Sequence, residues 1–79
     1  VTQTRVALKK IQTALEELGG RLSDVVRTRI YVTDIDHWEL VGRAHGEVFG
    51  SIRPATSMVE VRRLISPDIL VEIEADAVL

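Results

Sequence analysis

The sequence predicts an α+β domain in which two amphipathic helices cover one face of a three-stranded sheet. Three observations carry this. Two stretches repeat apolar residues at helical spacing, three others alternate with a period of two, and their order is helix, strand, helix, strand, strand. A length of 79 residues leaves room for one domain, taken as residues 1–79.

Leu8, Ile11, Leu15 and Leu18 recur at spacings of three and four, which places them on one face of a first helix. Lys9, Lys10, Gln12, Glu16 and Glu17 fill the solvated side. Thr2 or Thr4 is placed to cap its start, and Gly19-Gly20 closes it, because glycine accepts the left-handed backbone of a helix end. Residues 25–33 are rich in β-branched side chains and alternate, with Val26, Thr28, Ile30 and Val32 on one face. Val25, Arg27, Arg29 and Tyr31 take the other. Asp34 or Asp36 then caps a second helix over residues 37–49, with Trp38, Val41, His45 and Val48 on its apolar face, widened by Leu40 and Ala44. Gly42 and Gly46 stand four apart within it and mark a close backbone contact.

Arg53-Pro54 opens an extended segment, since the residue before proline avoids the helical region. A second strand over residues 55–62 puts Ala55, Ser57, Val59 and Val61 on one side and Thr56, Met58, Glu60 and Arg62 on the other. Residues 64–68 form a turn. The last strand, residues 69–78, sets Ile69, Val71, Ile73, Ala75 and Ala77 against Leu70, Glu72, Glu74, Asp76 and Val78.

Each strand thus has a small aliphatic face suited to the helices. The opposite face mixes Val25, Tyr31, Met58, Leu70 and Val78 with Arg27, Arg29, Glu60, Arg62, Glu72, Glu74 and Asp76. Such a face is expected to be partly covered and partly wet, with opposite charges paired across strands. In so short a chain the cover comes from another copy or from residues outside it. A small core and two open sheet edges point the same way, to a homo-oligomer.

Composition excludes several functions. Cysteine is absent, so disulfide, thiolate and cysteine–zinc chemistry are out. Ten basic residues against twelve acidic ones give a net charge of −2, which argues against a nucleic-acid binder held by a basic surface. No apolar run reaches the roughly 18 to 20 residues of a membrane span, and no basic-then-apolar leader is seen. No nucleophile elbow, phosphate loop or dinucleotide fingerprint occurs. His37 and His45 sit about 80° apart on a helix, which is not metal-ligand spacing, so no metal site is expected. Glu72 and Glu74 share a strand face. Two roles stay open for them: a salt-bridged surface, or a carboxylate in a half-covered interface that moves protons.

One stretch goes further. Arg53-Pro54-Ala55-Thr56-Ser57-Met58-Val59-Glu60-Val61, followed by Ile69-Leu70-Val71-Glu72-Ile73-Glu74-Ala75, resembles the C-terminal signature of the reactive-intermediate deaminase (Rid, or YjgF) family. Leu22-Ser23-Asp24-Val25-Val26-Arg27-Thr28, Val32-Thr33-Asp34 and Phe49 match in kind and order upstream. The resemblance implies a chorismate-mutase-like fold and a cytoplasmic homotrimer with ligand clefts between subunits. It also implies cofactor-independent hydrolysis of 2-imino or enamino acids, such as 2-iminobutanoate, to the 2-oxo acid and ammonia. Family members carry strands before the first helix, so this chain is expected to be the C-terminal part of such a domain.

Carried over residue by residue, the family's water-guiding glutamate falls at Glu72, the expected catalytic residue. Its substrate-binding signature falls at Thr56, Ser57 and Met58. The arginine that grips the substrate carboxylate is replaced by Thr56, and the frequent cysteine by Met58. A threonine hydroxyl can bond a carboxylate but brings neither charge nor fork. The frequent asparagine of the second helix falls at Gly42. The expected function is binding of a small 2-imino or 2-oxo acid-like metabolite between subunits, with imine deaminase activity weak or absent. A working deaminase and a non-catalytic structural or regulatory oligomer are the alternatives.

Overall fold

The structure is a computed structural model that describes residues 2–79. Helix α1 spans Thr2–Glu17, strand β1 Val25–Val32, helix α2 Trp38–Phe49, strand β2 Ala55–Glu60 and strand β3 Val71–Ala77, with short 3₁₀ turns at Leu22–Asp24 and Ile35–His37. The sheet order is β2-β1-β3. β1 pairs with β2 in parallel and with β3 antiparallel, so α2 is the crossover that a parallel pair requires. Both helices lie over one sheet face. No helix among the described residues is long and apolar enough to cross a membrane.

The core has two parts. Leu8 and Leu15 of α1 meet Val25 and Phe49 at one end. Ile30, Val32, Val41 and Val71 fill the other, with Met58 against them. Arg5 of α1 reaches Glu47 of α2, and Gln3 bonds Asp68 and Leu70 on the approach to β3. The predicted element order stands. Several details differ.

α1 closes as expected. Gly19 takes φ +83°, its N–H donates to the Glu16 carbonyl, and the Gly20 N–H reaches the Leu15 carbonyl at 2.7 Å. These are the two bonds of a glycine-closed helix end. The last turn tightens as it closes, with the Leu18 N–H shared between Ala14 and Leu15. That lifts Leu18 off the apolar stripe, and it is 72% exposed. Thr4 is not a cap but a buried residue within the helix. At the next helix Asp34 does cap, its carboxylate accepting from the Asp36 N–H at 3.0 Å, although α2 proper begins only at Trp38.

β1 breaks its alternation at the start. A bulge between Val25 and Arg27 turns Val25 into the core and Val26 outward. The buried stripe of α2 is Val41, Ala44, His45 and Phe49. Trp38, at 56% exposure, and Leu40 lie outside it. Gly42 and Gly46 approach no other backbone, for a Cβ added at either would meet nothing within 4 Å. Arg53 is not extended. It has φ 56°, and its N–H donates to the Phe49 carbonyl, so the chain meets the restriction before Pro54 with a left-handed turn.

The largest correction concerns β2. Thr56 aligns with the buried Thr28 and Met58 with Ile30, which puts Thr56 and Met58 on the helix side. Ala55, Ser57 and Val59 take the open face, opposite to expectation. Both sides of this strand carry small or apolar residues, so alternation alone did not orient it.

Candidate functional site

The expected site residues lie on the two outer strands. Thr56 is exposed at the start of the edge strand β2, on the helix side. Met58 lies two residues on, half-buried against the Ile30–Val32–Val41–Val71 cluster. Ser57 points to the open face, aligned with Arg29. Glu72 lies near the start of β3, opposite Tyr31, and is exposed on that open face. Thr56 and Glu72 therefore sit on opposite faces, with β1 between their strands. Two strand spacings alone separate them by roughly 10 Å. One copy of the chain does not bring them together around a small ligand.

The open face carries the expected charge pairs. Arg29 stands 3.5 Å from Glu74 and 3.7 Å from Asp76. The Tyr31 hydroxyl donates to Glu74 at 3.0 Å, and this bond to a carboxylate raises the phenol above its ordinary value. Glu74 is thus held by two partners. Glu72, one alternation away, has no hydrogen bond or ion pair among those found in the described residues. Glu72 also borders a groove of about 530 Å³ between α1 and the outer edge of β3, lined by Val6, Ile11 and Ile73. A second groove, of about 390 Å³, lies beside the N-terminus of α1, next to Asp34, His37 and Leu40, and shares Gln3 and Val71 with the first. Neither groove includes Thr56, Ser57 or Met58.

Behind Thr56 runs a chain of hydrogen bonds that the sequence reading missed. The His45 Nε2 lies 3.0 Å from the Thr28 Oγ1, which lies 2.8 Å from the Thr56 Oγ1, which donates to the Pro54 carbonyl at 3.1 Å. His45 and Thr28 are both buried, and the His45 ring packs on Phe49 with centroids 4.8 Å apart. Burial lowers the His45 pKa below its ordinary value, because the charged ring loses water. The sequence held a signal for this chain. A histidine on an apolar helix stripe and a threonine on an aliphatic strand face are core polar groups, and such groups need partners.

A family model described as Endoribonuclease L-PSP matches residues 1–79. A RutC family protein of Pyrococcus abyssi is 39% identical over 75 residues, covering 95% of this chain and 58% of the relative. A crystal structure of a YjgF/YER057c/UK114 family member from Mycobacterium tuberculosis superposes with a TM-score of 0.95 at 62% identity, covering 96% of this chain and 64% of that one. The YjgF gene product of E. coli gives a TM-score of 0.87 at 33% identity, with 95% and 61% covered. The chain spans less than two thirds of the length of each.

Proposed function

The chain belongs to the endoribonuclease L-PSP family, the YjgF/UK114 group, and from that premise we propose that it binds a small 2-imino or 2-oxo acid in clefts between the subunits of a homotrimer. Imine or enamine deaminase activity is weak or absent in this reading, and the setting is the cytoplasm.

One observation carries the proposal. Thr56 and Glu72, the positions of the family's carboxylate grip and water guide, lie on opposite faces of outer strands. A ligand that uses both takes Thr56 from one copy and Glu72 from another. The mixed open face, with exposed Val59 and Leu70 among paired charges, suits contact with a second copy. Weak chemistry follows from Thr56 itself. A neutral hydroxyl offers one hydrogen bond where a guanidinium offers two and a charge.

A working deaminase is the second reading, and the freedom of Glu72 favours it. The neighbouring Glu74 is held by Arg29 and Tyr31, whereas Glu72 is free to orient water. A nuclease reading finds no support in the charges. Arg27 and Arg29 of the open face stand opposite Asp76 and Glu74, which leaves no basic track for a phosphate chain on that face among the described residues.

The test supplies 2-iminobutanoate continuously from a threonine dehydratase and follows oxo-acid formation. Little or no acceleration over buffer is expected, with a gain in Thr56→Arg. A wild-type rate matching that of arginine-bearing relatives would establish the second reading. Any activity seen is expected to fall in Glu72→Ala. Light scattering that shows a stable monomer would remove the intersubunit cleft altogether.

A further inference from the structure

The three contacts behind Thr56 can all be hydrogen bonds at once in only one proton order. A carbonyl oxygen only accepts, so a bond to Pro54 uses the Thr56 proton. The Thr56 oxygen is then left to accept from Thr28. The Thr28 oxygen in turn is left to accept from the His45 ring, which in this order carries its proton on Nε2. In that order every proton points outward, from the buried ring to the exposed strand edge. The opposite tautomer, with the proton on Nδ1, would draw the Thr28 proton inward. Thr28 would then take the Thr56 proton, and the bond to Pro54 would be lost.

We propose that His45, acting through Thr28, fixes Thr56 as an outward hydrogen-bond donor, so that this subsite takes an acceptor oxygen of a ligand, carboxylate or carbonyl, in place of the Pro54 carbonyl. The ligand half rests on the small-acid reading above. Thr56 is the contact residue, and His45 and Thr28 are positioning residues. Three features support the assignment. The chain joins α2, β1 and β2, three elements whose packing holds its members in place. His45 and Thr28 are buried away from competing water, while Thr56 is exposed. A carboxylate is also a stronger acceptor than the peptide carbonyl it would displace. Burial disfavours the charged form of the ring, which keeps the outward order dependent on the tautomer of a neutral imidazole.

The test uses the full chain with nitrogen-15-labelled histidine. Long-range proton–nitrogen spectra read the tautomer directly, and His45 is expected to carry its proton on Nε2. 2-Oxobutanoate serves as the acceptor probe and propylammonium as a donor-only counter-probe. The first is expected to bind and to be lost in Thr56→Val, and the second not to bind. Thr28→Val removes the link with little change of shape and should weaken 2-oxobutanoate binding by about fivefold, the effect of one neutral hydrogen bond. His45→Leu should do the same, whereas His45→Gln and Thr28→Ser, which keep a donor and a hydroxyl, should bind like the wild type. An Nδ1 proton on His45 overturns the proposal, and so does unchanged binding in Thr28→Val. Loss of binding in Thr28→Ser as well would show a packing role and overturn it too. Wild-type protein that binds no 2-oxobutanoate overturns the small-acid reading together with the ligand half. Binding that survives Thr28→Val removes this proposal alone.

Discussion

Arg5 and Glu47 form a two-pronged bridge between the helices, Nε to Oε1 and Nη2 to Oε2, each at 3.1 Å. The bridge holds the Glu47 carboxyl below its ordinary value and the Arg5 guanidinium above its own, with the hydrogen bond the larger cause in both. Both side chains are exposed, so water and salt screen the pair.

A carboxylate whose folded pKa is depressed contributes stability that is present above its unfolded value and lost as pH falls through the folded value. The melting temperature of Glu47→Gln is therefore expected to lie slightly below that of the wild type at neutral pH. The gap should close as pH drops below the ordinary glutamate value of 4.5, and it should also shrink in 1 M salt. A gap that widens in acid would contradict the bridge.

His45 gives a second slope in a different window. Its folded pKa is lowered from 6.5 by burial, so the neutral ring is the form that folding favours. That stability is complete above pH 6.5 and is lost as pH falls toward the folded value, where the unfolded chain binds the extra proton. Urea midpoints measured from pH 7.5 down to pH 5 should fall for the wild type. They should fall less steeply for His45→Gln, which has no proton to take up there.

Gly42 and Gly46 lie within α2 with open space at the Cβ position. Alanine at each removes the entropic penalty of helical glycine and meets no neighbour. Each change is expected to stabilise by about 0.5 to 1 kcal/mol. For a domain of this size, that is a rise in melting temperature of roughly 4 to 8 °C per kcal/mol.

Gly19 behaves in the opposite way. Its Cβ position is also open, but its φ of +83° is one that side chains resist. Gly19→Ala is expected to cost about 1 kcal/mol and Gly19→Asn less, since asparagine tolerates that backbone better. Denaturant melts of the two variants check the order.

Much of this fold was legible in the sequence because periodicity is a local signal. The stripe of Leu8 and Leu15, the alternation of residues 71–77 and the Gly19 stop each follow from neighbours a few residues apart. What failed depended on partners distant along the chain. Val25 and Val26 are the same residue type, and only pairing with Ala77 shows which turns inward. Alternation alone reads β2 face-reversed, because Ala55 and Val59 look as suited to a core as Thr56 and Met58. Its orientation is fixed by alignment with Thr28 and Ile30. The family signature singles out Thr56 and Glu72 as positions. Their separation across β1 is a property of strand order, which no local pattern encodes. His45 was visible as a polar residue on an apolar stripe, and Thr28, to which it bonds, lies 17 residues away.

The sheet order has a consequence for how the chain is made. β1 is its centre, but its antiparallel neighbour β3 is synthesised after α1, β1, α2 and β2. A nascent chain leaving the ribosome can close β1, α2 and β2 into a crossover while β1 still has one bare edge. That edge remains a template for another strand until residues 71–77 emerge. A strand pairing from elsewhere can occupy it first. Slowed translation of the codons just before β3 should therefore raise the aggregated fraction, and an excess of the β3 segment supplied in trans should lower it.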